Sequence, residues 1–419
     1  MTDLKTIILA AGKGTRMKSA VPKVLHPVCG KPMIEYVLDV AKAAGSKELI
    51  VVLGHMITAV REQLPPEVVT LEQKKLLGTA DAVKTTSSHL KSFKGDVLIL
   101  CGDTPLLTKE TVRALVKKHR GSQAVCTFLT AVVHDPQGYG RVIRDMDGKA
   151  VAIREDKDAV GFERQIAEIN SGVYCINASA LFAALDKVRQ NKAKKEFYLT
   201  DIIEIFTQDG QTVETVATEN FKEALGVNSR IDLAQSQEII RRRILDRLML
   251  AGVTIVDPAS THIDADVKIG RDTVVRPFSV IENNVRIGSG CLIGPFARIR
   301  PGSRIGDDVE VGNFTEVSRT KIGRATLMKH FGFLGDATVG ANANIGAGTV
   351  TANYDGVEKH PTKIGDGAFI GSDAILVAPV KVGKKAVIGA ASVVVRSTIP
   401  DGATVVGTPA RVIKKARSQ

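Results

Sequence analysis

Residues 287–306 read Ile287-Gly288-Ser289-Gly290-Cys291-Leu292-Ile293-Gly294-Pro295-Phe296-Ala297-Arg298-Ile299-Arg300-Pro301-Gly302-Ser303-Arg304-Ile305-Gly306, with isoleucine at every sixth place. The frame extends in both directions, through Ile263, Ile269, Val275 and Ile281 before it and Val311 and Val317 after it. It resumes at Ile364, Ile370, Leu376, Val382, Ile388 and Val394. A helix repeats at about 3.6 residues and a strand at about two, so neither produces this spacing. A hexapeptide solenoid does, with each repeat giving one short strand and one tight turn, and three repeats closing a triangular coil. The aliphatic residue points into the prism, and the turn glycines take backbone angles that other residues avoid. Between the two regular stretches, residues 351–362 carry polar and aromatic side chains and are expected to loop out (Thr351 to Thr362, with Asn353, Tyr354, Lys359 and His360). A loop projected from a rigid scaffold is a natural place for function.

The first half has a different period. Up to about residue 225, apolar strands alternate with helical patterns, as in Glu48–Gly54, Asp96–Leu100 and a helix bearing Met33, Val37, Leu38 and Ala41. That order predicts a doubly wound, mostly parallel sheet with its ligand crevice at the carboxyl ends of the strands. The first strand, Thr6-Ile7-Ile8-Leu9, leads into Ala10-Ala11-Gly12-Lys13-Gly14-Thr15-Arg16-Met17-Lys18, and Pro22-Lys23 follow. Small residues there let backbone N–H groups approach a polyphosphate. Lys13, Arg16, Lys18 and Lys23 add cations where its negative charge would sit. Residues 228–251 read as a long connecting helix ending near Gly252, and the run Arg241-Arg242-Arg243 as a solvated helix face.

Bulk properties narrow the classes. At 419 residues the chain is long enough for two or three domains. Five scattered cysteines, none spaced as CxxC, argue against a disulfide framework or zinc site. The formal net charge is +12, yet only 4% of residues are aromatic and there is no Trp. The basic tract at the tail, Arg411, Lys414, Lys415 and Arg417, is short, and phosphorylated small substrates account for the charge balance as well as RNA does. We therefore expect neither a nucleic-acid nor a membrane partner. No apolar run approaches a membrane span, and Met1–Lys5 has no signal-peptide core, so a cytoplasmic location is expected.

Taken with these motifs, the chain resembles the bifunctional N-acetylglucosamine-1-phosphate uridyltransferases / glucosamine-1-phosphate N-acetyltransferases of bacterial cell-wall precursor synthesis. The resemblance implies a Rossmann-like nucleotidyltransferase domain (1–227), a helical arm (228–251) and a left-handed parallel β-helix acetyltransferase domain (252–419). It also implies a homotrimer, with Mg²⁺ as cofactor and acetyl-CoA as co-substrate. In the first half it assigns Leu9, Ala10, Ala11, Gly12, Gln73, Gly78 and Thr79 to the uridine nucleotide. Arg16 and Lys23 go to the triphosphate and sugar phosphate. Cys101-Gly102-Asp103 follows a strand, Asp103 and Asn228 are the Mg²⁺ contacts, and Gly140, Glu155 and Asn170 surround the N-acetylglucosamine. One Asp and one Asn suit an ion that keeps several waters.

In the second half the resemblance makes His330 the general base, a role suited to a group that titrates near neutrality. Arg300, Asn344, Asn353, Tyr354 and Lys359 fall on sugar-phosphate or acetyl-group positions. Ala347, Ser372 and Ala390, together with Asn353 and Tyr354, fall on acetyl-CoA positions. Three features depart from the family pattern. Ser318 stands where a second Lys contacts the sugar phosphate, with Arg319 next door. Phe333 stands where a Tyr is usual. The segment Gly407-Thr408-Pro409-Ala410-Arg411-Val412-Ile413 resembles the closing turn of other hexapeptide acyltransferases, leaving Arg411 as the available cation for coenzyme A. These departures leave open a uridyltransferase whose β-helix acetylates another amino sugar or serves only as a trimerisation scaffold.

Overall fold

The computed structural model describes residues 3–414; Lys415 and Arg417 of the basic tail lie outside the described residues. The chain divides into two compact units, Met1–Gln237 and Glu238–Gln419. The division falls within the long helix Arg230–Leu250.

In the first unit the strand Leu4–Ala10 lies in the middle of the sheet. It pairs in parallel with Glu48–Leu53 on one side and Asp96–Cys101 on the other. Ile7 and Ile8 are both fully buried, one in the core on each face, which is why Ile7-Ile8-Leu9-Ala10 runs apolar without alternation. Glu168–Asn177 runs antiparallel between Asp96–Cys101 and Cys126–Val132, and the remaining main-path pairs are parallel. The chain leaves Leu4–Ala10 toward one side of the sheet and returns on the other. A crevice therefore opens at the carboxyl ends of Leu4–Ala10 and Asp96–Cys101, the switch point of the sheet. The helix Met33–Ala43 buries Met33, Ile34, Val37, Leu38, Val40 and Ala41 against it.

The second unit is a left-handed parallel β-helix. Successive short strands go to three sheets in rotation, so every coil adds one rung to each. The sixth-place residues point inward: Ile281, Ile287, Ile293, Ile299, Ile305, Val311 and Val317 are all buried. The frame does not stop at Val317. Ile322, Met328, Leu334, Val339, Ile345 and Thr351 continue the inward column, all buried, with one corner at 317–322 and another at 334–339 shortened by a residue. Only the segment from Asn353 to Pro361 leaves the coil, between strands Val350–Ala352 and Thr362–Ile364. The last strand, Arg411–Lys414, turns back antiparallel to Thr404–Val406 and covers the end of its sheet. Along one corner Phe278, Phe296 and Phe314 stack on successive coils, with ring centroids 4.9 Å apart in both pairs.

The long helix corrects one expectation. Arg242 is solvated and pairs with Asp246 at 2.9 Å, but Arg241 is only 6% exposed. Its guanidinium pairs with Glu238 and donates to the carbonyls of Pro258 and, at 3.0 Å, Thr261. Those carbonyls belong to the chain that enters the first coil, and the fork of N–H donors on Arg satisfies both while staying charge-paired. No helix among the described residues is long and apolar enough to cross a membrane.

Candidate active sites

At the switch point the loop after Leu4–Ala10 brings two cations inward. Gly14 has φ 60°, and a Cβ there would lie 2.7 Å from the Cβ of Lys23. The absence of a side chain lets the segment carrying Lys23 close over the loop. Lys23 is 12% exposed; its ammonium is ion-paired with Asp103 Oδ2 and donates to Asn228 Oδ1 at 2.9 Å. Arg16 donates to the same Asn228 Oδ1, also at 2.9 Å. Asp103 is held because Gly102 N–H donates to Leu9 O (2.9 Å) and Val227 N–H to Asp103 O (2.9 Å). Asn228 is held by a capping box at the start of the long helix. There Ser229 Oγ accepts from Asp232 N–H, and the Asp232 carboxylate accepts from the N–H groups of Ser229 and Asn228. Two hard oxygen donors thus converge on one ammonium, which already stands as a cation between them. This donor pair fits a divalent ion that takes few protein oxygens and fills its shell with water and phosphate.

A cleft of about 660 Å³ opens beside this cluster, lined by Leu9, Gly12, Gln73, Gly78, Thr79, Cys101, Asp103 and Glu155 among others. Gln73 is 4% exposed, and its amide nitrogen donates to Gly78 O (3.0 Å) and Asp81 Oδ2 (2.7 Å). Both partners are acceptors, so the amide orientation is unambiguous and its carbonyl oxygen is what it offers the cleft. Gly78 takes φ 105°, and a Cβ there would lie 2.4 Å from Phe197 O. Thr79 Oγ1 accepts from Leu199 N–H at 2.9 Å. Burial raises the Glu155 carboxyl above its ordinary value, although Thr200 Oγ1 donates to it at 2.8 Å. Asp201, beside it, is raised to about 6 by burial and by the Glu155 charge. Asn170 donates to Tyr174 Oη (2.6 Å) and accepts from Gly172 N–H (3.1 Å), and its own N–H donates to Gly140 O (2.8 Å). Cys101 lies in the cleft wall, and burial pushes its thiol up to about 12, so it contributes shape and no charge. Leu76, Glu196 and Tyr198 also line the cleft, and Thr200 supports Glu155 from behind. The sequence reading missed all four. The run Glu196-Phe197-Tyr198-Leu199-Thr200-Asp201, polar and aromatic by turns before a helix, was the available signal.

On the β-helix the strand register sorts the expected residues onto two corners. His330, Ala347, Ser372 and Ala390 occupy the same place on successive coils, at the corner that carries the phenylalanine stack. The turn Gly407–Ala410 extends this line by one step. Gly407 N–H donates to Ser392 Oγ (3.1 Å) and Ala410 N–H to Val393 O (2.9 Å), and Arg411 pairs with Val406. His330 is exposed. Arg300, Ser318, Arg319, Asp336 and Asn353 gather at the next corner. Arg300 donates to Glu316 at 2.8 Å, and its Nε is buried with no partner among the described residues. Asn344 faces outward on the strand column that leads into the first of these corners, between Leu327 and Phe369. Tyr354 and Lys359 face each other across the loop, where Tyr354 Oη donates to Gly356 O at 2.6 Å.

Residues 6–200 match the MobA-like NTP transferase domain, and residues 284–319 and 361–396 match the bacterial transferase hexapeptide (six repeats). Over 411 residues the chain is 45% identical to the bifunctional protein GlmU of Geobacillus thermodenitrificans, covering 90% of each chain. It is 43% identical over 405 residues to that of Bacillus subtilis, covering 89% of each. The chain belongs to the GlmU family. Within this GlmU-family chain Arg319, next to Ser318, is tied to its own scaffold. It is committed to Asp336 by two bonds of 2.6 and 2.8 Å and donates to Ser318 Oγ at 2.9 Å. That pairing, with Asn353 donating to the same carboxylate, holds Asp336 below its ordinary pKa. Ser318 itself is fully buried.

Proposed function

We propose that this chain makes UDP-N-acetylglucosamine in two steps at two sites. In the β-helix, the amine of glucosamine-1-phosphate attacks the thioester carbonyl of acetyl-CoA. His330 accepts the amine proton as the C–N bond forms and the C–S bond breaks, releasing coenzyme A. In the first unit, a phosphate oxygen of N-acetylglucosamine-1-phosphate attacks the α-phosphorus of UTP, and pyrophosphate leaves with the broken P–O bond. Two anions meet in that step, so stabilising charge outweighs any covalent role for the protein. Arg16 and Lys23 supply cationic charge. Mg²⁺, held by Asp103 and Asn228, would neutralise phosphate oxygens. The Gln73 carbonyl accepts from uracil N3–H, and Glu155, Gly140 and Asn170 surround the amino sugar.

The observation that carries the reading is the convergence of Arg16, Lys23, Asp103 and Asn228 on one point at the switch of the sheet. The separation of His330 from the Arg300–Asn353 corner supports a trimer, in which one subunit's acetyl-CoA line faces a neighbour's sugar-phosphate corner. Arg411, at the end of that line, meets a coenzyme A phosphate in this reading. We retain 228–251 as the arm between the functional halves 1–227 and 252–419, and a cytoplasmic location. The test is thiol release from acetyl-CoA with glucosamine-1-phosphate, for wild type and His330→Ala. Release that needs both the sugar and His330 is expected. Release from wild type only with a different amino sugar would replace the acceptor, and none with any would leave the β-helix as a scaffold.

A further inference from the structure

One sheet of the β-helix carries an unpaired file of positive charge. Its strands each present one outward residue beside the inward aliphatic. Strand register stacks these as Lys268 on Arg286, Arg286 on Arg304, Arg304 on Lys321, then Thr338, Lys363 and Lys381. All six cations are exposed, and among the described residues none makes an ion pair. With rungs about 4.8 Å apart, the file runs for about 29 Å.

Like charges directly opposite on neighbouring strands destabilise a sheet. Elsewhere this β-helix avoids that arrangement by pairing cations with carboxylates from adjacent coils: Arg298 with Glu282, Arg319 with Asp336, Arg324 with Asp308. The other two faces carry outward apolar residues, Leu327 and Phe369 on one and Phe333 and Ile375 on the other. The charged face is therefore the one least suited to packing against a second copy. The neighbouring corners carry the carboxylates Asp266, Asp307 and Asp366, which accept from backbone N–H groups, alongside the exposed cations Arg271 and Lys385. A line of charge fits a linear polyanion better than a lipid surface, whose headgroups would also meet those carboxylates. The file contains no aromatic ring on which a base could stack.

We propose that this face binds a linear phosphate polymer, held by charge without recognition of bases. The test is binding of fluorescently labelled inorganic polyphosphate to the full chain across a salt series. A thymidine oligonucleotide of matched charge and anionic phosphatidylglycerol vesicles serve as competitors. Six neutralised phosphates predict a log–log salt slope near −4, from about 0.7 per contact. Arg304→Ala/Lys321→Ala should reduce the slope to near −3 and weaken binding at least tenfold at low salt, with pyrophosphate and thiol release unchanged. Lys91→Ala/Lys94→Ala, which removes the same charge from exposed lysines of the first unit, should leave binding as in wild type. The proposal is overturned by no polyphosphate binding at low salt or by equal loss in the two double variants. Tighter binding of the oligonucleotide, or binding of vesicles alone, would equally overturn it.

Discussion

Replacing Lys23 by alanine removes the ammonium that joins Asp103 to Asn228. Lys23 makes two charge-assisted contacts from a position only 12% exposed, one as an ion pair and one at 2.9 Å. Contacts of this kind are worth about 1.5–3 kcal/mol each, so exchanging them for phosphate oxygens in the transition state commits about 3–6 kcal/mol to this side chain. At about 1.4 kcal/mol per tenfold, Lys23→Ala should lower kcat/KM for uridylyl transfer by about 10²- to 10⁴-fold. Arg16 remains on Asn228 Oδ1, which favours the lower part of that range. The assay is coupled pyrophosphate release from UTP and N-acetylglucosamine-1-phosphate, with thiol release from acetyl-CoA measured on the same preparation. A loss smaller than tenfold would refute the role given to Lys23. A parallel fall in thiol release would refute the separation of the two sites.

Other consequences follow from the same geometry. Arg241→Ala leaves the carbonyls of Pro258 and buried Thr261 without their donor and should destabilise the β-helix by about 3 kcal/mol in a denaturant melt, whereas Arg242→Ala should cost under about 0.5 kcal/mol. Gly78→Ala forces a side chain toward Phe197 O at φ 105° and should cost about 1–3 kcal/mol of stability or cleft order, read as raised KM for UTP with thiol release intact. Asp201 is raised to about 6 in the fold, so the native state binds a proton that the unfolded chain releases near pH 4, and its contribution to stability declines as pH rises between those values. Asp201→Asn should therefore raise stability at pH 7.5, by about 1 kcal/mol after discounting for partial exposure, and lose that advantage by pH 4 in thermal melts.

The six-residue frame made the β-helix legible because its inward position tolerates almost nothing but aliphatics. The frame was lost between Val317 and Ile364 for a specific reason. Two corners drop a residue, and Thr351 fills an inward place while its hydroxyl accepts from Gly335 N–H at 2.7 Å. The phosphate end of the first site was also legible, since a glycine loop with cations after a buried strand has few other uses. Glu196, Tyr198 and Thr200 were not, because the cleft wall they form depends on the turn that brings residues 196–200 against Gly78 and Thr79. The run Arg241-Arg242-Arg243 looked uniform in sequence. Only the first coil's entry path decides that Arg241 is buried and Arg242 is not. Likewise the sequence sets Arg319 beside Ser318 without its partner, which strand register makes Asp336, one rung away.

The most direct test of two activities at two sites is complementation between inactive variants. Lys23→Ala and His330→Ala would each be supplied with glucosamine-1-phosphate, acetyl-CoA, UTP and Mg²⁺, separately and mixed, and UDP-N-acetylglucosamine measured by mass spectrometry. Little product is expected from either variant alone and abundant product from the mixture, because each supplies the step the other lacks. Product from His330→Ala alone at the wild-type rate, or none from the mixture, would contradict this expectation.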